Sequence, residues 1–577
     1  MSIAYLPATA CFTRKTAPDA PFVMTVAMKL RVAFAPVLTL AALLLALPAV
    51  ALAQVINPDE TSSGVGPVNV RTAPGLKTPI VSNGSWTVYH HDNAHTGADL
   101  TQNPATHVKG GWTSPTLDER VFGSPLIYGG LVFVATLNNT VYALNQIDGS
   151  VVWSNHLRNP ETGGWSCGNV SPQGILGTGV IDPSTGRIFV TTLDILDDHY
   201  RLEGLNLATG VEEVNTDISA FIGGAFDWTI QQQRGALAVA NGYVYVPFGG
   251  RAGDCGSYHG WVFAVPTSGA AITHYYVTPG NGAGFWAAGG VVVNDSNGKV
   301  FVTSGNGTGS GCSANGDGTP AFENDAVVRL SAILAHEDSF VPFDWQSNWC
   351  SNDQDLGSTS PLLISPNLLF QSGKWGTGFL LNPASLGGMG HQLFPAPLPT
   401  PYSEVDTCHG NHSDATFGSY AYAAPFVYLE CEGRGLVALN LDTGAPSFGV
   451  CSTSCPLPDW SAGSGITFGP PIVAGGLVWA ANNGGGLYAY RADTGMQVFH
   501  SAGFGIERFV TPAEAGGQVF VPAGTVVKQF VMGFDTAQSS PAPPPLRPVP
   551  VQQTGAPAPG SRQPASQSSP APSPFGR

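Results

Sequence analysis

One pattern returns along most of the chain: a Gly turn, a β-rich strand with a large apolar residue at its centre, a polar Gly-containing turn, a second apolar strand, then Asp/Thr-Gly. The clearest copy is GGLVFVATLNNTVYALNQIDGSVVW, ending at Trp153. Its central Phe133 is followed at intervals of 56 residues by Phe189, Tyr245 and Phe301, and Gly130, Gly186, Gly242 and Gly298 keep the same interval. Later copies centre on Leu369, Tyr428, Trp479 and Phe520 at steps of 68, 59, 51 and 41. A repeat of this length, made of short strands that alternate or run apolar and break at Gly, Asn or Asp, is what a β-propeller needs: a four-stranded blade buries its faces only against neighbouring blades.

Eight copies in the span 54–536 predict an all-β, eight-bladed propeller of four-stranded antiparallel blades. The 73 Gly and 47 Pro residues exclude a mainly helical chain, because neither tolerates a helix interior. The last copy, GGQVFVPAGTVVKQF, ends too soon to supply four strands, while SWTVYHHD (85–92) and GWTSPTL (111–117) are left over at the other end. N-terminal strands are therefore expected to complete the final blade, which removes exposed sheet edges.

The ends read differently. Met28-Lys29-Leu30-Arg31, an apolar run from Val32 to Val50 and Ala51-Leu52-Ala53 form a secretory signal peptide, with residues 1–27 an upstream extension. No transmembrane segment is expected after cleavage. Residues 537–577 carry 12 Pro, three Arg and no acid, the composition of a disordered tail. The formal charge of −16, which becomes −19 once residues 1–53 are set aside, argues against a nucleic-acid partner.

Eight cysteines follow the leader, an even number that suggests disulfides in an exported chain. The pairs expected are Cys167–Cys255 between neighbouring blades and Cys312–Cys350, Cys408–Cys431 and Cys451–Cys455 within local loops; zinc lacks its CxxC pairs. His90, His91 and His95, with His409 and His412, fit no strong ligand spacing and read as hydrogen-bonded loop residues.

YALNQIDGSVVW, LNLATG (205–210), ALNLDTG (438–444), AYRADTG (489–495) and the opening WTVYHHDNAHTG resemble the pyrroloquinoline quinone (PQQ)-like, or quinoprotein alcohol dehydrogenase-like, β-propeller family. Where enzymes of that family hold PQQ and calcium, the resemblance implies roles for particular residues. In KVFVTSGNG it puts a calcium-ligand Asn at Asn306, and in GFWAAGG it puts the aromatic floor under the quinone at Trp286. NDQDLGSTSPLL would carry the catalytic carboxylate on Asp355, with Asp353 as the alternative, and SGKWGTGFLL would turn Lys374 to the quinone oxygens. A ring stacks on the flat cofactor, calcium takes oxygen ligands, and a carboxylate removes the alcohol proton. The departures are the missing adjacent-Cys pair, since WSCGNVSPQG carries only Cys167, and Asp254 in GRAGDCGSYHGW where a calcium-ligating Glu is expected. No CxxCH haem site is present. The leading expectation is thus a periplasmic, cell-surface or secreted binding or scaffold propeller without a cofactor, whose partner is a protein, a polysaccharide or a small molecule. The alternative is a PQQ- and calcium-dependent alcohol or sugar dehydrogenase. The two part on whether Asp254, Trp286, Asn306, Asp355 and Lys374 meet in one pocket at the ring's axis.

Overall fold

The computed structural model describes residues 84–223, 226–307, 312–395, 405–408, 410–448 and 460–534. The leader (1–53), the tail (537–577), His409 and the Cys451–Cys455 pair lie outside the described residues.

Eight sheets form the ring. Every residue named as a repeat centre, from Phe133 to Phe520, lies on the second strand of its blade and is buried. The 56-residue glycines are the reason for the regular spacing. Gly130, Gly186, Gly242 and Gly298 turn the chain from first to second strand with φ of 79°, 68°, 81° and 71°, a region that side chains with a Cβ avoid. A second device joins blades. Trp153, on the outer strand Val151–His156 of blade 1, donates Nε1–H to Leu207 O (3.0 Å) of blade 2, and a Cβ on Gly210 would meet its ring at 2.5 Å. Trp112 on Gly149 and Trp460 on Gly495 repeat the contact, so the Gly of the Asp/Thr-Gly turn is a landing site for a neighbour's tryptophan.

Strand His107–Thr113 pairs antiparallel with Val526–Gly533, so an N-terminal strand closes the last blade on Ala513–Ala515, Gln518–Ala523 and Val526–Gly533. The segment before it does something the repeat does not show: it winds once around the axis. Trp86 exchanges two backbone hydrogen bonds with Ile127 of blade 1 (both 2.8 Å). Thr87 O then accepts from Ile181 N of blade 2 (2.8 Å), and Asn93 Nδ2 donates to Val239 O of blade 3 (3.2 Å). Asn93 O, Ala94 O, Thr96 O and Gly97 O accept in turn from Val293, Leu363, Tyr422 and Val473, on blades 4 to 7. One short loop thereby satisfies inner-strand groups that a ring of twisted sheets would leave open on its axis.

In two blades the outer strand is missing or split among the described residues. Among the described residues blade 5 has three, Leu362–Ser365, Leu368–Gln371 and Phe379–Leu381, with Phe394 bridging Leu380 antiparallel beyond them. Gly388–Met389 pairs instead with blade 4. In blade 6 the third strand Gly435–Asp442 is shared by two short partners, Ser447–Phe448 and Trp460–Ala462.

Disulfides join Cys167 to Cys255, Cys312 to Cys350 and Cys408 to Cys431. These are three of the four pairings expected from the sequence.

Candidate functional site

Loops leading into first strands and loops leaving second strands meet at one end of the axis and enclose a cavity of about 420 Å³. Asp254 comes from the loop between Tyr243–Gly250 and Trp261–Pro266 of blade 3, and Trp286 from the approach to Val292–Asn294 of blade 4. Asp353 and Asp355 lie between blades 4 and 5, and Lys374 follows Leu368–Gln371 of blade 5. All five line the cavity. Asn306, just past Lys299–Thr303, is buried one layer behind the wall and touches it through hydrogen bonds.

Asp355 is the hub. Its Oδ1 accepts from the backbone N–H of Asn306 (2.7 Å) and from Trp286 Nε1 (3.4 Å), and its Oδ2 faces Lys374 Nζ at 2.6 Å. Lys374 also lies 3.8 Å from Asp353 Oδ1 and 3.9 Å from Asp414 Oδ1, and its ammonium stands over the Trp286 ring at 5.5 Å. Burial on its own would lower the Lys374 pKa, but the Asp355 charge and hydrogen bond prevail and raise it. Burial raises Asp353, against the pull of Lys374. It raises Asp254 too, although Tyr258 donates its hydroxyl to Asp254 Oδ1 at 2.7 Å. The Cys167–Cys255 bridge ties together the two loops that carry the lining residues Asn169, Val170 and Ala252 to Asp254. A bridge between two blades thus occupies the stretch where the resemblance led one to look for neighbouring cysteines.

A flat organic ring has what it needs here: the Trp286 face and a cation above it. A calcium ion does not. Asp355 is taken up by three protein donors, Asn306 Nδ2 donates a hydrogen bond to Asp353 Oδ1 (3.1 Å), and Asp254 is turned to Tyr258. Among the described residues, three His, Cys, Asp or Glu ligand atoms converge only at Asp197, His199 and Asp217, in blade 2 and its exit turn. There Arg201 already bridges both carboxylates. We therefore derive no step through calcium or quinone.

The histidines stay out of the site. His90 and His95 are wholly buried in the axial loop, His90 Nδ1 on Tyr420 O (2.9 Å) and His95 Nδ1 by Ser360 Oγ (3.3 Å), while His412 Nδ1 meets Trp375 O (2.9 Å). His91 lies 3.7 Å from Asp92.

Sequence reasoning missed Arg234, Phe417, Arg508 and Phe509, which line the other side of the cavity. A signal existed. Arg234, Phe417 and Phe509 each stand four residues before a first strand, Ala238–Ala240, Ala421–Ala423 and Ala513–Ala515, so the repeat register aims them at the axis.

A family profile described as outer membrane protein assembly factor BamB matches residues 109–258. No curated protein sequence matches the chain. Among solved structures, the quinohemoprotein alcohol dehydrogenase of Comamonas testosteroni superposes with a TM-score of 0.57 at 14% identity, over 78% of this chain and 80% of that one. A quinohemoprotein alcohol dehydrogenase of Pseudomonas putida HK5 gives 0.57 at 16%, over 80% and 82%. A europium-containing methanol dehydrogenase gives 0.57 at 14%, over 78% and 99%. At these identities the likeness is one of fold. With its eight blades and its Asp/Thr-Gly turns, the chain is an eight-bladed β-propeller, of which residues 109–258 match that profile.

Proposed function

We propose that the protein is an exported binding propeller whose ligand is a small organic molecule seated in the axial cavity against Trp286, Lys374 and Asp355. The observation that carries this reading is convergence: residues from blades 3, 4 and 5, far apart in sequence, turn titratable and aromatic groups into one cavity. Structural side chains have no need to meet on an axis. Three disulfides support export, because such bonds persist in oxidising compartments. The matched profile's description, an assembly factor, supports the broader scaffold reading, in which a protein partner occupies the ring's face.

The second reading, a quinone-dependent alcohol or sugar dehydrogenase, is favoured by the same residues standing together and opposed by the poor calcium set. One experiment separates them. The purified protein is screened by tryptophan fluorescence and calorimetry against alcohols, sugars, carboxylic acids and PQQ with and without calcium, and dye reduction is followed with alcohols. Binding of a small molecule that Trp286→Ala and Asp355→Asn abolish, without dye reduction, supports the binding reading. Tight PQQ binding with turnover lost in Asp355→Asn would establish the dehydrogenase. Binding that ignores both substitutions sinks the axial site.

A further inference from the structure

Arg234 is, among the described residues, the one cavity-lining cation that the fold leaves with neither ion pair nor hydrogen bond. Lys374 has Asp355, Arg120 has Glu507 at 3.4 Å, and Arg508 has Glu432 at 3.5 Å. Arg251 gives its two terminal nitrogens to Gln173 Oε1 and Trp228 O. Arg234 has only an aromatic ring: its guanidinium carbon lies 4.6 Å from the Phe509 centroid. The Arg508 guanidinium lies 4.9 Å from the same centroid and 4.7 Å from that of Phe417. Two like charges therefore share one ring inside a cavity, with a single carboxylate 3.5 Å from one of them.

Such an arrangement is costly unless something else completes it. Burial, and then the charge of Arg508, lower the Arg234 pKa to about 10, so the group is a part-buried cation at neutral pH. Phe509 holds φ at 70°, a left-handed conformation that a bulky side chain keeps only where its surroundings over-determine it. Its position four residues ahead of blade 8's first strand, matched by Arg234 in blade 3 and Phe417 in blade 6, brings the three groups together from separate parts of the ring.

We propose that Arg234 and Arg508 bind the carboxylate of an organic acid whose body lies along Phe509, Phe417 and Trp286 towards Asp355 and Lys374. This rests on the axial cavity being a ligand site and adds the class of ligand. The guanidinium fork matches a carboxylate's two oxygens. The three rings form a continuous apolar wall, with centroid steps of 5.4 Å from Phe509 to Phe417 and 6.3 Å from Phe417 to Trp286. A singly charged group fits better than a phosphate dianion, because acidic and basic side chains line the cavity in equal number and Glu507 adjoins Arg508.

The test uses 4-(hydroxymethyl)benzoate, its uncharged amide and inorganic phosphate as probes, with calorimetry on the full chain. The acid is expected to bind about tenfold more tightly than the amide, the size of one net charge-assisted contact. Arg234→Gln should erase that preference; Arg508→Gln, at a half-exposed residue, should reduce it with the fold intact; Arg234→Lys should keep part of it. Equal affinity for acid and amide, or a preference that survives both Gln variants, overturns the carboxylate site while leaving the cavity reading standing. Failure of both organic probes to bind overturns this proposal and the cavity reading together. Phosphate displacing the acid from Arg234 with higher affinity would reassign the site to phosphate.

Discussion

Lys374 Nζ lies 2.6 Å from Asp355 Oδ2, with side-chain exposures of only 11% and 6%. An ion pair so enclosed is held by its surroundings more than it holds them. Its two charges gave up water, and each now depends on the other.

Lys374→Met should therefore destabilise the fold by about 3–5 kcal/mol, because it leaves the Asp355 carboxylate buried without a cation. Asp355→Asn combined with Lys374→Met should cost much less than the two single changes added together. Urea unfolding of the four proteins in a double-mutant cycle checks this. Additive losses would mean that the pair is not coupled.

The axial loop predicts an acid sensitivity. Burial, then the neighbouring charge of His95, lowers the His90 pKa to about 3, and burial lowers that of His95 to about 4. The unfolded chain takes up these protons near pH 6.5 and the folded chain refuses them until well below, so each histidine withdraws stability as pH falls from about 6.5 towards 4. The slope is about 1.4 kcal/mol per pH unit per histidine. Glu430, Glu514 and Asp325 work the other way, since burial holds their carboxyls well above the usual range and the folded state takes protons first. The histidine contribution is therefore read by difference: His90→Asn/His95→Asn should lose less stability than the parent between pH 6.5 and 4.5. Parallel pH profiles would contradict it.

How much of this was legible depended on period. A hairpin turn that demands positive φ writes a glycine every 56 residues, and a blade core writes an aromatic beside it, so Gly130 and Phe133 announce the ring. Trp286 and Asp355 carried a second signal, their resemblance to a known site. Arg234 carried neither, because its meaning comes from the register of blade 3 against blades 6 and 8, which a single pass along the chain does not display. The course of Trp86 to Asp99 around the axis was equally silent. Its bonds to six of the blades run through backbone groups, and backbone groups leave little trace in side-chain identity.

The bridge between the two cavity loops gives a third expectation. Cys167 and Cys255 are 88 residues apart, so Cys167→Ser/Cys255→Ser frees a long loop in the unfolded chain and should lower stability by about 4 kcal/mol on the chain-entropy view. It should also weaken ligand retention, because the bond ties together the loops whose Asn169, Val170 and Ala252 to Asp254 line the cavity. Faster dissociation in stopped-flow fluorescence, with the association rate little changed, is the expected result. Unchanged dissociation would show that the bridge serves the fold alone.

The sharpest test of the site is a methyl group. Gly305 lies beside Asp355, and a Cβ built on it would stand 2.3 Å from Asp355 Oδ1 and 2.8 Å from Trp286 Nε1. Gly305→Ala must therefore push the carboxylate off the Asn306 amide and away from the indole, breaking contacts of 2.7 and 3.4 Å. Overpacking of this kind costs about 1–3 kcal/mol, which a ring of eight blades should survive as a cooperative folding unit. The ligand should not survive it so well: with Asp355 displaced and Trp286 turned, affinity should fall by about tenfold or more, the equivalent of one net hydrogen bond to a charged group. Calorimetry with whichever molecule the screen identifies, alongside thermal unfolding of the variant, reads both effects. A Gly305→Ala protein that unfolds like the parent and binds as tightly would show that Asp355 is a structural carboxylate and that the ligand contacts lie elsewhere on the wall.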